Sequence, residues 1–177
     1  MSKVSELHKA SAPQSLGVYV VTCSTSKFNQ HRAGETPDDI SGRLIAELAA
    51  KDGLRIEGRK LVSDSRQMIR KATKQALRST KVDAVILTGG TGLSPRDVTI
   101  ESLRPLADKE IPGFGELFRK LSFDSIGSPA LLSRAFAATS KGKAIFCLPG
   151  SPDAVQTAME KLILPELGHI IRVARER

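Results

Sequence analysis

The stretch "VDAVILTGGTGLSPRDVTIE", Val82 to Glu101, runs from β-formers through three glycines into helix formers, with an aspartate five residues beyond the last glycine. An apolar strand that ends in a glycine-rich turn and leads into a helix start gathers exposed backbone N–H groups, the arrangement that cradles phosphate. "TGGTG" (Thr88, Gly89, Gly90, Thr91, Gly92) lacks the Lys-Ser/Thr ending of a P-loop and the glycine spacing of a dinucleotide fingerprint. Two readings remain: glycines that only permit a tight turn, or glycines that admit the close approach of an anion. Consecutive glycines favour the anion.

Outward from this turn, strand and helix patterns alternate. "LGVYVVTCS" (Leu16 to Ser24) reads as a first buried strand, "LRIEGRKLV" as a second, "VDAVIL" as the third and "KAIFCL" as a later one. A polar loop, "TSKFNQHRAGETPDD", is expected before the helix "ISGRLIAELAAKDG", which Gly53 closes. In "SDSRQMIRKATKQALRST", Met68, Ile69, Ala72, Ala76 and Leu77 line one helical face. Two short helices around "IESLRPLAD" and "PGFGELFRKLSF" follow, then a helix over "PALLSRAFAAT" and a closing segment "SPDAVQTAMEKLILPELGHIIRVA". The alternation predicts an α/β fold, a mostly parallel sheet sandwiched between helices. Ligands bind such sheets at the carboxyl ends of strands. Loops leaving Val62, Leu87 and Leu148 therefore converge on one rim if those strands are parallel neighbours.

The 177 residues, 40% hydrophobic, suit a single domain over 16–177 behind a loose polar arm over 1–15. Lys and Arg outnumber Asp and Glu by 27 to 19, so the surface attracts anions. One Tyr and no Trp leave few rings to stack bases, which argues against a nucleic-acid binder. The absence of a signal sequence or long apolar segment leads to the expectation of a soluble, cytoplasmic chain without membrane partners. Cys23 and Cys147 end apolar runs without metal-ligand spacing and read as small buried hydrophobes.

Asp97 and Asp64 each stand before a helix, where N-capping explains an aspartate. Set on one rim beside a phosphate cradle, the same two carboxylates make a magnesium site. In "LPGSPDAV", Ser151 suits a cap and Pro152 a first helical turn. Phe114 and Phe118, four apart, read as core.

"DISG" (Asp39 to Gly42), "TGGTGLSPRDVT", "IPGFGELFRKLSF", "LLSRA" and "LPGSPDAV", in that order, resemble the molybdenum cofactor biosynthesis family of MoaB-like proteins and molybdopterin adenylyltransferases. The resemblance runs from about Leu16 to near His169. It implies a three-layer αβα sandwich assembled as a trimer or hexamer. It also implies binding of molybdopterin and transfer of AMP from ATP, as co-substrate, to molybdopterin's terminal phosphate. The product then accepts molybdate or tungstate, and other proteins of the pathway are implied partners. The family's two acidic positions correspond to Asp64 and Asp97, expected to hold Mg²⁺. Its ligand loops correspond to Thr88 through Gly92, to Ser133 and Arg134, and to Pro149, Gly150 and Ser151, and Arg96 is placed to offset phosphate charge. Two positions depart from the pattern: Ser63 stands where many relatives carry proline, and Cys147 where many carry asparagine. Retention of both acids favours an active enzyme over a binding or scaffold protein.

Overall fold

A computed structural model describes residues 15–176. The expected arm lies outside the described residues apart from Ser15, which is exposed and accepts a hydrogen bond from Arg55. In chain order the elements are β1 (Gly17–Cys23), α1 (Thr25–Arg32), α2 (Ile40–Lys51), β2 (Arg55–Val62), α3 (Arg66–Arg78) and β3 (Ala84–Thr88). Then come α4 (Thr99–Leu103), β4 (Lys109–Glu110), α5 (Pro112–Ile126), β5 (Phe136–Ser140), β6 (Lys143–Leu148), α6 (Pro152–Ala158) and α7 (Leu164–Arg175). The strands form one sheet in the order β2-β1-β3-β6-β5-β4. β2, β1, β3 and β6 are parallel, and β5 and β4 join antiparallel at one edge.

Alternation along each strand sends residues to opposite faces. On β3, Ala84 and Ile86 join a core beneath α2, α5, α6 and α7, while Val85 and Leu87 join a second beneath α3 and α4. Helices therefore cover both faces, which makes the three layers and explains why β3 reads as an unbroken apolar run. Each fully buried Ile or Leu here contributes about 1.5–3 kcal/mol by leaving water. Phe114 and Phe118 are core as expected, and the Phe114 ring meets Phe146 with centroids 5.4 Å apart. Gly53 closes α2 at φ +81°, donating to the Ala50 carbonyl. On α3, Ile69, Ala72 and Ala76 are buried, with Met68 and Leu77 packed beside them.

Two expectations are corrected. The polar stretch Thr25–Asp39 is not all loop: its first half is α1, which buries none of its residues and so carries no apolar period to betray it. "PALLSRAFAAT" is not a helix: Ser128–Leu132 is a short 3₁₀ turn, and Phe136–Ser140 is β5, paired antiparallel to β6. Ala- and Leu-rich composition favours helix locally, but Ala137 and Ala138 are small enough to enter the two opposing cores, and sheet packing overrides propensity. Lys141 and Gly142, at φ +53° and +73°, make the two-residue hairpin turn.

The closing segment carries a π-type turn at Met159–Ile163, immediately before Pro165. In the wider turn the Leu164 amide donates to the Met159 carbonyl, ahead of Pro165, which has no N–H to give the helical ladder. No helix among the described residues is long and apolar enough to cross a membrane.

Candidate active site

Register aligns the carboxyl ends of the four parallel strands: Cys23 pairs with Val62, Thr22 with Thr88, and Thr88 with Leu148. The loops that follow are tied together. The Gly89 amide donates to the Leu148 carbonyl at 3.0 Å and the Thr88 hydroxyl to the Pro149 carbonyl at 2.8 Å. Gly89 sits at φ +92°, and a Cβ there would stand 2.3 Å from the Cys23 carbonyl oxygen, so only glycine fits. The first residue of α4 pins the turn from the other side. The Thr99 hydroxyl donates to the Gly89 carbonyl at 2.8 Å, and its amide to the Gly90 carbonyl at 3.0 Å. The amides of Gly90, Thr91 and Gly92 donate to no acceptor among the described residues. Three unpaired donors in succession are what an anion cradle requires.

Both aspartates lie against this turn. Asp64 Oδ2 accepts from the Thr25 amide at 2.9 Å and the Thr25 hydroxyl at 2.8 Å. It therefore caps α1, whereas the capping reading had it serve its own helix α3. Asp97 Oδ2 accepts from the Ser94 amide at 3.1 Å, and Val98 occupies the N-cap position of α4. Neither aspartate caps the helix that follows it. Among the described residues, Oδ1 of each accepts no hydrogen bond. A Cβ at Gly90 would stand 2.9 Å from Asp64 Oδ1, and one at Gly92 would stand 2.8 Å from Asp97 Oδ2. Two glycines two residues apart thus leave space in front of two carboxylates.

Arg134, at the entry to β5, reaches the same loop. One guanidinium nitrogen donates to the Gly92 carbonyl at 3.2 Å, and another pairs with Glu101 on α4. Burial pushes the Glu101 carboxyl up, but the Arg134 guanidinium, with Arg66 behind it, more than reverses this and holds it below its usual range. Ser133 is half-buried beside Arg134, and Arg96 is exposed in the loop before Asp97.

Beside the glycine turn is a cavity of about 260 Å³. Thr22, Ser24, Lys27, Asp39, Ser41 and Gly150 are among the residues that line it. The N-termini of α1 and α2 open onto this space, and their dipoles favour negative charge there. The Ser41 hydroxyl donates to the Gly150 carbonyl at 2.7 Å, which joins α2 to the loop after β6. Asp39 caps α2 through the Gly42 amide at 3.0 Å and also accepts from Thr22 and Arg59, each at 2.9 Å.

The expected residues share one rim, with different standing. Gly89, Gly90, Thr91 and Gly92 form the turn, while the Thr88 hydroxyl is buried and committed to Pro149. Pro149, Gly150 and Ser151 lead into α6. Ser151 takes the N-cap position without a capping hydrogen bond from its side chain. Ser24, Lys27 and Ser41 escaped sequence reasoning. Lys27 lies in the segment taken for loop, and "DISG" carried an N-cap signature at Asp39 that was not followed to Ser41.

Cys23 and Cys147 are buried, free thiols. Burial pushes Cys23 up to about 12, with a Thr99 hydrogen bond opposing and the Asp64 charge adding. Burial also raises Cys147, so neither offers a thiolate.

The family profile described as "probable molybdopterin binding domain" matches residues 19–169. Over 164 residues the chain is 46% identical to molybdenum cofactor biosynthesis protein B of Bacillus cereus, covering 92% of this chain and 93% of that one. It is 41% identical over 157 residues to a probable molybdopterin adenylyltransferase of Methanocaldococcus jannaschii, covering 89% and 93% of the two chains. Among solved structures, the tungsten cofactor synthesizing protein MoaB from Pyrococcus furiosus superposes with a TM-score of 0.83 at 38% identity, over 93% of this chain and 100% of that one.

Proposed function

The chain belongs to the molybdopterin-binding domain family, and from that membership we propose that it is a molybdopterin adenylyltransferase of molybdenum or tungsten cofactor biosynthesis. It transfers AMP from ATP to the terminal phosphate of molybdopterin and releases pyrophosphate. The observation that carries this reading is the pair of carboxylates against one glycine turn, each with an oxygen unclaimed by the described residues. The methanogen relative's name, probable molybdopterin adenylyltransferase, supports the reaction type.

The donor set fits Mg²⁺. No group of three or more His, Cys, Asp and Glu side chains among the described residues could hold a metal alone. Two carboxylates and a phosphate cradle suit an ion that takes one or two carboxylates and completes its shell with phosphate oxygens and water. Asp64 and Asp97 would hold it, and when bound it offsets phosphate charge around the reacting phosphorus. The backbone supplies the remaining donors through the amides of Gly90, Thr91 and Gly92. Lys27 and the first turns of α1 and α2 draw an anionic end of a substrate into the adjoining cavity. The pterin phosphate is already largely dianionic near neutral pH and attacks without a general base, so the aspartates position rather than abstract. Mutual repulsion between two polyanions is the barrier this arrangement addresses.

A second reading, a pterin-binding or scaffold protein of the same pathway without turnover, draws on Cys147. That side chain is wholly buried and presents no polar atom to a ligand where many relatives carry asparagine. In either reading the protein self-associates, as a trimer or hexamer. Leu117, Phe123, Ile126, Leu131 and Leu132, all more than half exposed around α5, are the surface for it. The test is pyrophosphate release that requires Mg²⁺, ATP and molybdopterin together. Its loss in folded Asp64→Asn and Asp97→Asn proteins supports the enzyme, and pterin binding without release in the unaltered protein supports the scaffold.

A further inference from the structure

Glu101, in the first turn of α4, has an unusual environment for an acid at that position. Dipole compensation alone explains an acid at that position and leaves the carboxylate in water. Here one oxygen, Oε1, pairs with Arg134, and the other, Oε2, is buried with no hydrogen-bond partner. Burying an unsatisfied carboxylate oxygen costs free energy, so helix stability by itself does not select this geometry.

The pair sits where three segments meet. Arg134 grips the Gly92 carbonyl with one nitrogen and Glu101 with another. Gly92 packs directly on the Asp97 carboxylate. Arg66, whose charge acts on Glu101, is two residues beyond Asp64, and Arg70 Nε donates to the Ser102 carbonyl at 3.3 Å. α3, which follows Asp64, and α4, which follows Asp97, are thus held together beside Glu101.

We propose that Glu101 and Arg134 act as a positioning pair: Glu101 fixes the guanidinium, and the guanidinium fixes the loop that carries Asp97 opposite Asp64. On this proposal Arg134 acts on the loop rather than on a phosphate, each terminal nitrogen giving one of its two hydrogens to a protein oxygen. The inference deepens the adenylyltransferase reading and rests on it for the choice of ligand. The two roles predict opposite signs. If Arg134 were a ligand group restrained by Glu101, removing the carboxylate charge would free it and tighten binding of a polyanion. If the pair positions the loop, the same change weakens binding. Lysine at 134 keeps the charge but cannot bridge two acceptors with a planar fork.

The experiment compares the full-length protein with Glu101→Gln, Arg134→Lys and the double variant in two measurements. The first is the affinity for Mn²⁺ with a non-hydrolysable ATP analogue, read by electron paramagnetic resonance. The second is amide exchange of the peptide spanning Gly92 to Ile100, whose Ser94, Asp97 and Thr99 amides are hydrogen-bonded within the loop. A positioning pair gives weaker Mn²⁺–nucleotide binding, by about tenfold, and faster exchange in each single variant, with the double variant no worse than either. Tighter or unchanged binding in Glu101→Gln overturns the proposal, as do losses that add in the double variant. Should the unaltered protein bind no Mn²⁺–nucleotide, the adenylyltransferase reading fails, while exchange still decides the pair: coupled loosening supports it and unchanged exchange overturns it.

Discussion

Asp39 lines the cavity beside the glycine turn, while Asp64 and Asp97 lie against the turn itself. Asp39 accepts from a helix amide, a threonine hydroxyl and an arginine, which occupies both of its oxygens. Asp64 and Asp97 each commit Oδ2 to backbone amides and leave Oδ1 without a hydrogen bond from the described residues. All three sit at chain turns and all resemble caps in the sequence. What separates Asp39 from the other two is which lone pairs the fold has already used. Asp39 is satisfied by its protein partners, whereas Asp64 and Asp97 keep acceptor capacity that the proposed Mg²⁺ would use.

The largest effect that tests this contrast is at the two aspartates. Asp64→Asn and Asp97→Asn should lower AMP transfer about 100-fold or more while circular dichroism shows folded protein. Asp39→Asn should do the reverse, costing about 1 kcal/mol in urea unfolding and leaving the Mg²⁺ concentration for half-maximal transfer unchanged. Wild-type turnover in the first two, or a Mg²⁺ shift in the third, breaks the contrast.

Next is the glycine turn itself. At Gly90, φ is +62°, and an added Cβ would lie 2.5 Å from Thr99 Oγ1 as well as against Asp64. Gly90→Ala should lose about 2 kcal/mol of stability together with activity. Gly53→Ala, also at positive φ but with nothing within 4 Å, should lose about half of that and no activity. Equal losses at both sites would show that backbone strain alone, without the carboxylate, sets the cost.

A pH profile gives a smaller effect. The Glu101 carboxyl is held below 4.5, so the stability it adds is complete above that pH and is lost as pH falls through the folded value. The unfolding midpoints of wild type and Glu101→Gln should therefore differ near neutrality and converge in acid. A constant gap would remove charge from the explanation. Smallest in monomer stability, within about 0.5 kcal/mol, is Leu131→Lys, whose side chain is 83% exposed. Its expected signature is later elution in size-exclusion chromatography, and an unchanged elution volume would count against self-association through this surface.

Much of the scaffold was readable because burial on both faces leaves a strong imprint. β3 is buried throughout and apolar up to Thr88, α3 places Ile69, Ala72 and Ala76 at helical spacing, and Gly53 marks an end. α1 was missed because a helix that buries nothing has no period to read. β5 was misread because alanine suits a helix, and only the partner strand β6 makes it extended. At the site, the glycine turn itself was readable from its residues. That Asp64 and Asp97 face it together depends on parallel register between β2, β1 and β3, and neither spacing nor propensity expresses that. Lys27 and Ser41 were harder still: their shared cavity also needs Gly150, 109 residues beyond Ser41.

The reversal of β5 has a consequence for how this rim could diversify. Parallel strands present only the segments that follow them, each tethered to a crossover helix. An antiparallel neighbour presents the segment that precedes it, and Phe136 opposite Cys147 puts Arg134 at the same edge without any crossover. The short 3₁₀ turn upstream is thus a region where insertions or deletions could shift the Arg134 anchor of the glycine loop while every rung of the parallel ladder stays in register.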